Sequence, residues 1–186
     1  MAKPQMKNEF QYSFLQNVKV KMKRILIIGA GGHGQVVKEI AEACGYETID
    51  FLDDKAPSAV GKINEAPYLA PNYDGVIVGI GNNTIRRDIT TQLEKIEGIN
   101  LVTLIHPTAF ISKSAIIGKG TVVEPNATIN ANSKIGEGCI ISVGAVIDHD
   151  CSIGYFSHIN SGAICMAGSK VEALAKVNAG EVINGF

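Results

Sequence analysis

The chain has 186 residues, 46% of them hydrophobic but only 6% aromatic and none of them Trp, so small aliphatic side chains must build its core. Seventeen basic against eighteen acidic residues leave a net charge of -1, which removes the electrostatic case for nucleic acid or an anionic membrane as a partner. Cys44, Cys139, Cys151 and Cys165 form no C-x-x-C pair and no cluster with histidine, so no metal site and no disulfide framework is indicated, and a reducing cytoplasm is expected.

Taken from the start, residues 1–21 mix Lys, Gln, Asn and Phe without a period and are expected to form a mobile extension; Met22 is a second plausible start. Neither the charged-then-apolar order of a signal peptide nor an 18-residue apolar run is present. Residues 22–102 then read as a small Rossmann-like α/β domain. Arg24 to Ile28 is a short apolar strand, Gly29-Ala30-Gly31-Gly32-His33-Gly34 a glycine loop, and Gln35 to Cys44 a helix. A second strand, Thr48 to Leu52, ends in Asp53-Asp54. A third, Gly75 to Ile80, ends in Gly81-Asn82-Asn83 before a helix from Thr84 to about Ile96.

Alternating strands and helices predict a parallel sheet, whose ligands bind beyond the carboxyl ends of the strands. Gly29, Gly31, Gly32, His33, Gly34, Asp53, Asp54, Gly81, Asn82 and Asn83 all fall there. Glycines at a helix start expose N–H groups to a diphosphate, and an acidic residue after the second strand suits a ribose hydroxyl. About three strands are too few for a full dinucleotide fold, so a shorter nucleotide is expected.

From Ile105 a period of six runs without a slip through Ile111, Ile117, Val123, Ile129 and onward to Val177 and Ile183. Two residues before each of these the side chain is small, as at Ala109, Ala127, Cys139, Ala145 and Cys151; Glu181 alone breaks the rule. Such a beat fits neither a helix nor an amphipathic strand, but fits short strands joined at regular corners. Residues 103–186 are therefore predicted to coil as a left-handed parallel β-helix of hexapeptide repeats, four to five coils long, with Gly118, Asn130, Gly136, Asp148, Gly154 and Asn160 supplying the corner dihedrals.

Specific motifs lie along this frame: Ile27-Ile28-Gly29-Ala30-Gly31-Gly32-His33-Gly34, Phe51-Leu52-Asp53-Asp54, Gly79-Ile80-Gly81-Asn82-Asn83 with Ile85-Arg86, Ile105-His106-Pro107, Ile147-Asp148-His149-Asp150-Cys151, and Ile153-Gly154 followed by Phe156-Ser157-His158. From residue 22 to about 168 the chain resembles the bacterial sugar O-acyltransferases of the sialic acid O-acetyltransferase family, which includes the UDP-4-amino-sugar N-acetyltransferases of bacillosamine-type and perosamine-type sugars. The resemblance implies a homotrimer whose α/β domain binds the nucleotide-sugar and whose β-helix binds acetyl-CoA between subunits. It implies His149 as general base, Asp150 as the residue orienting it, His158 near the thioester, and the glycine loop with Asp53 and Asp54 as the UDP site. Residues 169–186 depart from the pattern, losing the turn glycines and the tail of the relatives, so part of the CoA groove is expected to be missing.

The residues themselves carry a compatible chemistry. His149 stands two positions from inward Ile147 and two from inward Cys151, so it points outward near a corner, where imidazole can take a proton as a nucleophile attacks a thioester. Either Asp148 or Asp150 can hold its tautomer. His158 lies half a coil away, out of reach of His149 within one subunit, and His106 with Pro107 marks the hinge into the repeat. The cysteines fill inward slots, so transfer is expected to be direct rather than through an acyl-enzyme, with backbone N–H groups of Gly144 or Gly162 as oxyanion donors. The expected function is acetyl transfer from acetyl-CoA to the amine of a UDP-linked amino sugar. Its rivals are O-acetylation of a sialic-acid-type sugar, a nucleotide-sugar-binding trimer without catalysis, and a purely structural trimer.

Overall fold

The apolar run Arg24–Ile28 is strand β1, the centre of a three-stranded parallel sheet; β2 (Thr48–Leu52) pairs on one side and β3 (Gly75–Val78) on the other. A computed structural model describes residues 23–185, so the expected extension over 1–21 lies outside the described residues. Helix α1 (Gly32–Ala43) begins earlier than its hydrophobic period indicates, because its first turn is built from Gly32-His33-Gly34, where glycine masks helical propensity. Gly34 is required: a Cβ there would sit 2.1 Å from the Gly29 carbonyl oxygen, so helix and loop touch backbone to backbone. A short helix α2 (Ala66–Leu69) and helix α3 (Asn83–Leu93) cover the other face, packing Ala66, Ala70 and Leu93 on Leu26, Ile28 and Val76. Residues 100–102 then run beside β3, through hydrogen bonds with Val76, and deliver the chain to the repeat.

From Leu104 the chain winds as a parallel β-helix, with strands pairing one coil, or eighteen residues, apart. Three faces result. Leu104–Ile105, Val122–Val123, Ile140–Ile141, His158–Ile159 and Lys176–Val177 form the first; Phe110–Ile111 through Val182–Ile183 the second; Ile116–Ile117 through Lys170–Val171 the third. The ladder from Ile105 to Ile183 fills the interior, fully buried from Val123 to Cys165 apart from traces at Ile135 and Ile153. The small residues beside it do more than leave room. The hydroxyls of Thr121, Ser133 and Ser157 donate to the carbonyls of Gly136 (3.1 Å), Asp148 (2.6 Å) and Glu172 (2.8 Å), fifteen residues on, and the thiols of Cys139 and Cys151 stand in the same relation to Gly154 and Met166. Each such bond satisfies a corner carbonyl that the strands leave open, at a net gain of about 1 kcal/mol.

The corners correct one expectation. From Ile117 to Val177, left-handed backbone falls three residues after each ladder residue, at Gly120, Asn126, Asn132, Gly138, Gly144, Asp150, Phe156, Gly162, Gly168, Leu174 and Gly180, not at the Gly118 or Asn130 positions. Gly118, Gly136 and Gly154 are glycine for another reason: a Cβ on any of them would come within 2.3–2.7 Å of the backbone of the next coil. The coil also continues through Val182–Ile183, where the Glu181 carboxylate turns back to accept from Asn178 instead of entering the interior.

The outward residues of the first face, Leu104, Val122 and Ile140, are buried, and Leu104 and Val122 pack in one cluster with Val37, Ile40 and Ala41 of α1 and Ile25 and Ile27 of β1. The α/β unit thus lies on this face, and each aliphatic side chain buried there contributes roughly 1.5–3 kcal/mol. The second face stays uncovered, with Phe110, Ile164 and Val182 exposed along one column. Because Ala145 is fully buried in a slot between coils, Ala145→Leu is expected to overpack the layer at about 1–3 kcal/mol. Urea unfolding measures this, and an unchanged midpoint would show that the slot has spare volume.

Candidate active site

His149 and Asp150 make the corner between the second and third faces. The backbone there is pinned: Asp150 N–H donates to the Ala131 carbonyl, the His149 carbonyl accepts from Gly168 N–H, and His149 N–H donates to the Asp148 carboxylate at 2.7 Å. The imidazole is half exposed, and its Nδ1 lies 2.7 Å from Oδ2 of Asp150. The structure therefore selects Asp150 over Asp148 as the carboxylate that holds the ring; Asp148 is occupied with the His149 amide and Asn130. Asn132, one coil earlier, donates to the other Asp150 oxygen at 3.1 Å and braces it from behind. The hydrogen bond to Asp150 raises the His149 pKa, and the same bond, with that from Asn132, lowers that of Asp150. With Nδ1–H held by a carboxylate, Nε2 keeps its lone pair.

On the α/β unit, the glycine loop is held from below. The Asp53 carboxylate accepts from the backbone N–H groups of Ala30 (2.9 Å), Lys55 (2.8 Å) and Ala56 (2.9 Å), and these bonds lower its pKa. Asp53 is thus a brace that keeps an acceptor site on Oδ2, whereas exposed Asp54 accepts only the Ile63 amide among the described hydrogen bonds. Nothing stands within 4 Å of where a Cβ would sit on Gly31 or Gly32, so the first turn of α1, which carries no acidic side chain and no side-chain cap, opens onto free space.

Asn82 and Asn83, expected beside the ligand, also make bonds within the protein. Asn82 caps α3 by accepting from Ile85 N–H at 3.0 Å. Asn83 donates to the carbonyls of Leu174 and Ala175, both at 3.0 Å, and accepts from Arg86 at 2.8 Å. Arg86, quoted in the sequence motif without a role, is 1% exposed and donates to the carbonyls of Gly138 (2.7 Å), Phe156 (2.9 Å) and Ile80 (2.9 Å). Gly138, Phe156 and Leu174 are the left-handed residues of one corner on three successive coils, so the start of α3 is stapled to a single column of carbonyls. Burial lowers the Arg86 pKa to about 10, which leaves it charged, with no carboxylate among its hydrogen-bond partners.

Between the loop and the first face sits a buried polar group that the sequence reading missed in part. His33 Nδ1 is 3.7 Å from Glu124 Oε1, and the His33 and His158 rings are 6.5 Å apart, centroid to centroid. Burial, then the nearby Arg86 cation, lowers both histidines to about 4, so at neutral pH each ring is neutral and the His33–Glu124 contact is no ion pair. Glu124 and Ser142 carried a signal in the sequence: each follows a ladder residue, where Gly, Asn or Asp is commoner. His149 and His158 make no contact with each other in the described residues, as their half-coil separation requires.

Other residues of the expected site are engaged within the β-helix. Gly144 N–H donates to the Pro125 carbonyl at 3.1 Å and Gly162 N–H to that of Val143 at 3.0 Å, so neither amide is free for an oxyanion. Cys139 and Cys165 are raised to about 11 by burial, which disqualifies both as thiolate nucleophiles. His106 Nδ1 pairs locally with Thr108 at 2.8 Å, in keeping with a structural hinge. Among the described residues no group of three or more His, Cys, Asp or Glu could hold a metal ion, and no helix is long and apolar enough to cross a membrane.

The buried imidazoles set a pH dependence. Their folded pKa values lie below the unfolded 6.5, so from about pH 6.5 down to about 4 the unfolded chain takes up protons the folded chain refuses, and stability falls as pH falls. Glu124, raised by burial, opposes part of this. His33→Gln is expected to flatten the loss between pH 7 and 5 in urea titrations; a slope identical to the parent would mean that His33 titrates normally.

Comparison with known proteins places both parts of the chain. The PglD N-terminal domain family matches residues 24–93, and the bacterial transferase hexapeptide family, six repeats, matches residues 114–149. The acetyltransferase domain of PglB from Neisseria gonorrhoeae FA1090 is 35% identical with a TM-score of 0.78, the match covering 88% of this chain and 92% of that one; the same domain in complex with acetyl coenzyme A gives 0.76 at 35% identity, covering 85% and 89%. PerB from Caulobacter crescentus, in complex with CoA and GDP-perosamine, is 32% identical with a TM-score of 0.74, covering 88% and 90%. The UDP-N-acetylbacillosamine N-acetyltransferase of Bacillus subtilis (strain 168) is 35% identical over 110 residues, 53% of this chain and 50% of that protein, so this match spans half the length of the curated relative. With 32% to 35% identity over nearly the whole of those solved structures, the chain belongs to the family of hexapeptide-repeat sugar N-acetyltransferases that join a PglD-type N-terminal domain to a parallel β-helix.

Proposed function

We propose that this chain transfers an acetyl group from acetyl-CoA to the amine of a nucleotide-linked amino sugar, by direct attack with His149 as the general base. The observation that carries the reading is the exposed His149–Asp150 pair at 2.7 Å on a β-helix corner, in a chain whose relatives include a PglB domain seen with acetyl coenzyme A and a PerB seen with CoA and GDP-perosamine. His149 Nε2 takes a proton from the amine as its nitrogen attacks the thioester carbonyl carbon. Asp150 steadies the imidazolium that forms, as the acid of a triad does. When the tetrahedral intermediate collapses, the C–S bond breaks, the amide forms, and the CoA sulfur leaves with the proton returned by His149.

In this reading residues 22–102 bind the nucleotide. Gly31 and Gly32 let the diphosphate approach the amides of the first turn of α1. Asp54 offers its exposed carboxylate to the ribose or base, while Asp53, Gly29, Gly34, Gly81, Asn82 and Asn83 shape and hold the loop. Both a UDP-sugar and a GDP-sugar appear among the relatives' names, so the UDP assignment is one to test. Residues 103–186 hold the acetyl donor, with Gly144 and Gly162 leaving open space on the corner column and His158 lying beside the transfer site. The protein works in the cytoplasm, where its four free cysteines stay reduced, as a homotrimer closed over the apolar second face. That face ends at the His149 corner on one side, so a neighbouring copy packed there completes the donor groove.

The decisive experiment follows thiol release from acetyl-CoA with a panel of UDP- and GDP-linked amino sugars. His149→Ala is expected to lose about 10²–10⁴-fold in kcat with its thermal midpoint unchanged, because His149 supports no packing; equal rates for parent and variant would remove His149 as the base. A product that hydroxylamine cleaves would be an ester and would favour O-acetylation of a sialic-acid-type sugar. A thermal response to nucleotide but none to acetyl-CoA would leave a binding protein without catalysis. For assembly, Ile164→Asp places a charge in the second-face column and is expected to turn a trimer into monomers in light scattering. A parent chain that is already monomeric would overturn the trimer.

A further inference from the structure

One coil beneath the His149 corner lie Asn130 and Asn132, each under an aspartate. Asn130 Nδ2 donates to Asp148 Oδ1 at 3.2 Å, and the same oxygen accepts from His149 N–H at 2.7 Å, so this carboxylate is tied to the backbone. Asn132 Nδ2 donates to Asp150 Oδ1 at 3.1 Å, which leaves Oδ2 for His149 Nδ1 at 2.7 Å. Asn132 is itself anchored a coil lower, its N–H donating to Ser114 Oγ at 3.0 Å. On the coil above, the matching positions are Met166 and Gly168, which bring no side-chain donor.

The asparagines thereby divide the labour of the two aspartates. The His149 and Asp150 side chains are 49% and 47% exposed, and a carboxylate in water turns about its terminal torsion at little cost. Left alone, such a surface pair holds weakly, because ordering both side chains offsets their attraction. An amide that occupies one oxygen removes this freedom before the ring is engaged. It must present its nitrogen, since a carboxylate only accepts. The neighbouring coils bring no competing charge to the ring: Asn130, Ala131 and Asn132 lie beneath it and Met166, Ala167 and Gly168 above, with Lys113 a further coil down. The hydrogen bond from Asp150 raises the His149 pKa, and Asp148 and Asp150 are the charges that add to it.

We propose that Asn132 is a positioning residue for the transfer: by pinning one oxygen of Asp150 it turns the other onto His149 Nδ1, and so keeps the ring in the tautomer whose Nε2 can take the proton of the attacking amine. The proposal deepens the acetyl-transfer reading and rests on it. Asn132 touches neither substrate nor thioester; its effect reaches the reaction only through Asp150 and the imidazole.

The test is Asn132→Gly in the full chain. Asn132 has left-handed backbone, φ 59°, which glycine adopts without strain and does adopt at the equivalent corner positions Gly138 and Gly168. The substitution therefore removes the amide and spares the coil. Asn126→Gly is the matched control: its φ is 58°, its N–H likewise donates to a hydroxyl one coil lower, Thr108 Oγ1, and above it stands Gly144 in place of an aspartate. Two-bond ¹H–¹⁵N correlation with ¹⁵N-labelled histidine reads the tautomer and pKa of each of the four imidazoles, and His149→Gln assigns the signal. The parent is expected to show His149 as Nδ1–H, titrating above the usual 6.5. In Asn132→Gly the ring is expected to move toward the Nε2–H form and its pKa to drop back toward 6.5, because Oδ2 no longer faces it. The acidic limb of kcat/KM then follows the base to lower pH. At neutral pH kcat is expected to fall roughly tenfold to a hundredfold, the scale on which a misplaced catalytic group loses rate, while both KM values and the thermal midpoint hold. An unchanged or raised His149 pKa in Asn132→Gly, an altered ring with undiminished kcat, or an equal loss of kcat in Asn126→Gly overturns the proposal. The titration requires no turnover, so a chain that acetylates no sugar defeats the proposed function, while the ring of Asn132→Gly still shows whether Asn132 holds the pair.

Discussion

Residues eighteen apart must lie on top of one another; this one constraint of the coiled backbone organises most of the chemistry described above. It places Asn132 behind Asp150 and so behind the imidazole of His149. It lines Leu104, Val122 and Ile140 up as a flat apolar strip on which α1 can lie, and it puts Glu124 and Ser142 in one stack beside His158. No side chain in these groups is brought together by its own neighbours in sequence except His149 and Asp150. Backbone bonds between coils do the assembling, and the ladder of Ile and Val keeps those bonds dry.

The second organising contact is Arg86. A guanidinium sealed from water among carbonyls, with no carboxylate in its shell, is tolerated because its forked donors find acceptors on both units at once. Its charge has a further effect, since it stands close enough to His33 and His158 to help keep both rings neutral. Structure and electrostatics are thus one device here. The residue that fastens the α/β unit to the β-helix thus adds to the burial that keeps the two histidines between them neutral.

How much of this was legible in the sequence depends on whether the signal is periodic. The six-residue beat of Ile105 to Ile183 gave the β-helix and its inward ladder directly, and the glycine loop between two apolar runs marked strand, turn and helix. His149 was readable because its offset from Ile147 and Cys151 dictates an outward side chain. Contacts made across the two units were not readable, because no local pattern reports them: Asn83 and Arg86 reach β-helix carbonyls between 52 and 92 residues away. The corner conformation was misplaced by two residues because glycine fills two different positions of the hexad. One of them needs left-handed backbone; the other needs the absence of a Cβ against the next coil.

The staple at Gly138, Phe156 and Leu174 limits how such a chain can change length. Those three carbonyls spell out a vertical ruler, and the start of α3 is cut to match it. Deleting or adding six residues within the stapled coils would swing every later corner to the next face and leave the helix facing the wrong edge. Removing a whole coil would restore the angle, yet would still exchange which corner each donor meets. Only the far end, beyond the last stapled coil, is free to grow or shrink by single turns while the docked half keeps its alignment, so variation in length among such molecules belongs there.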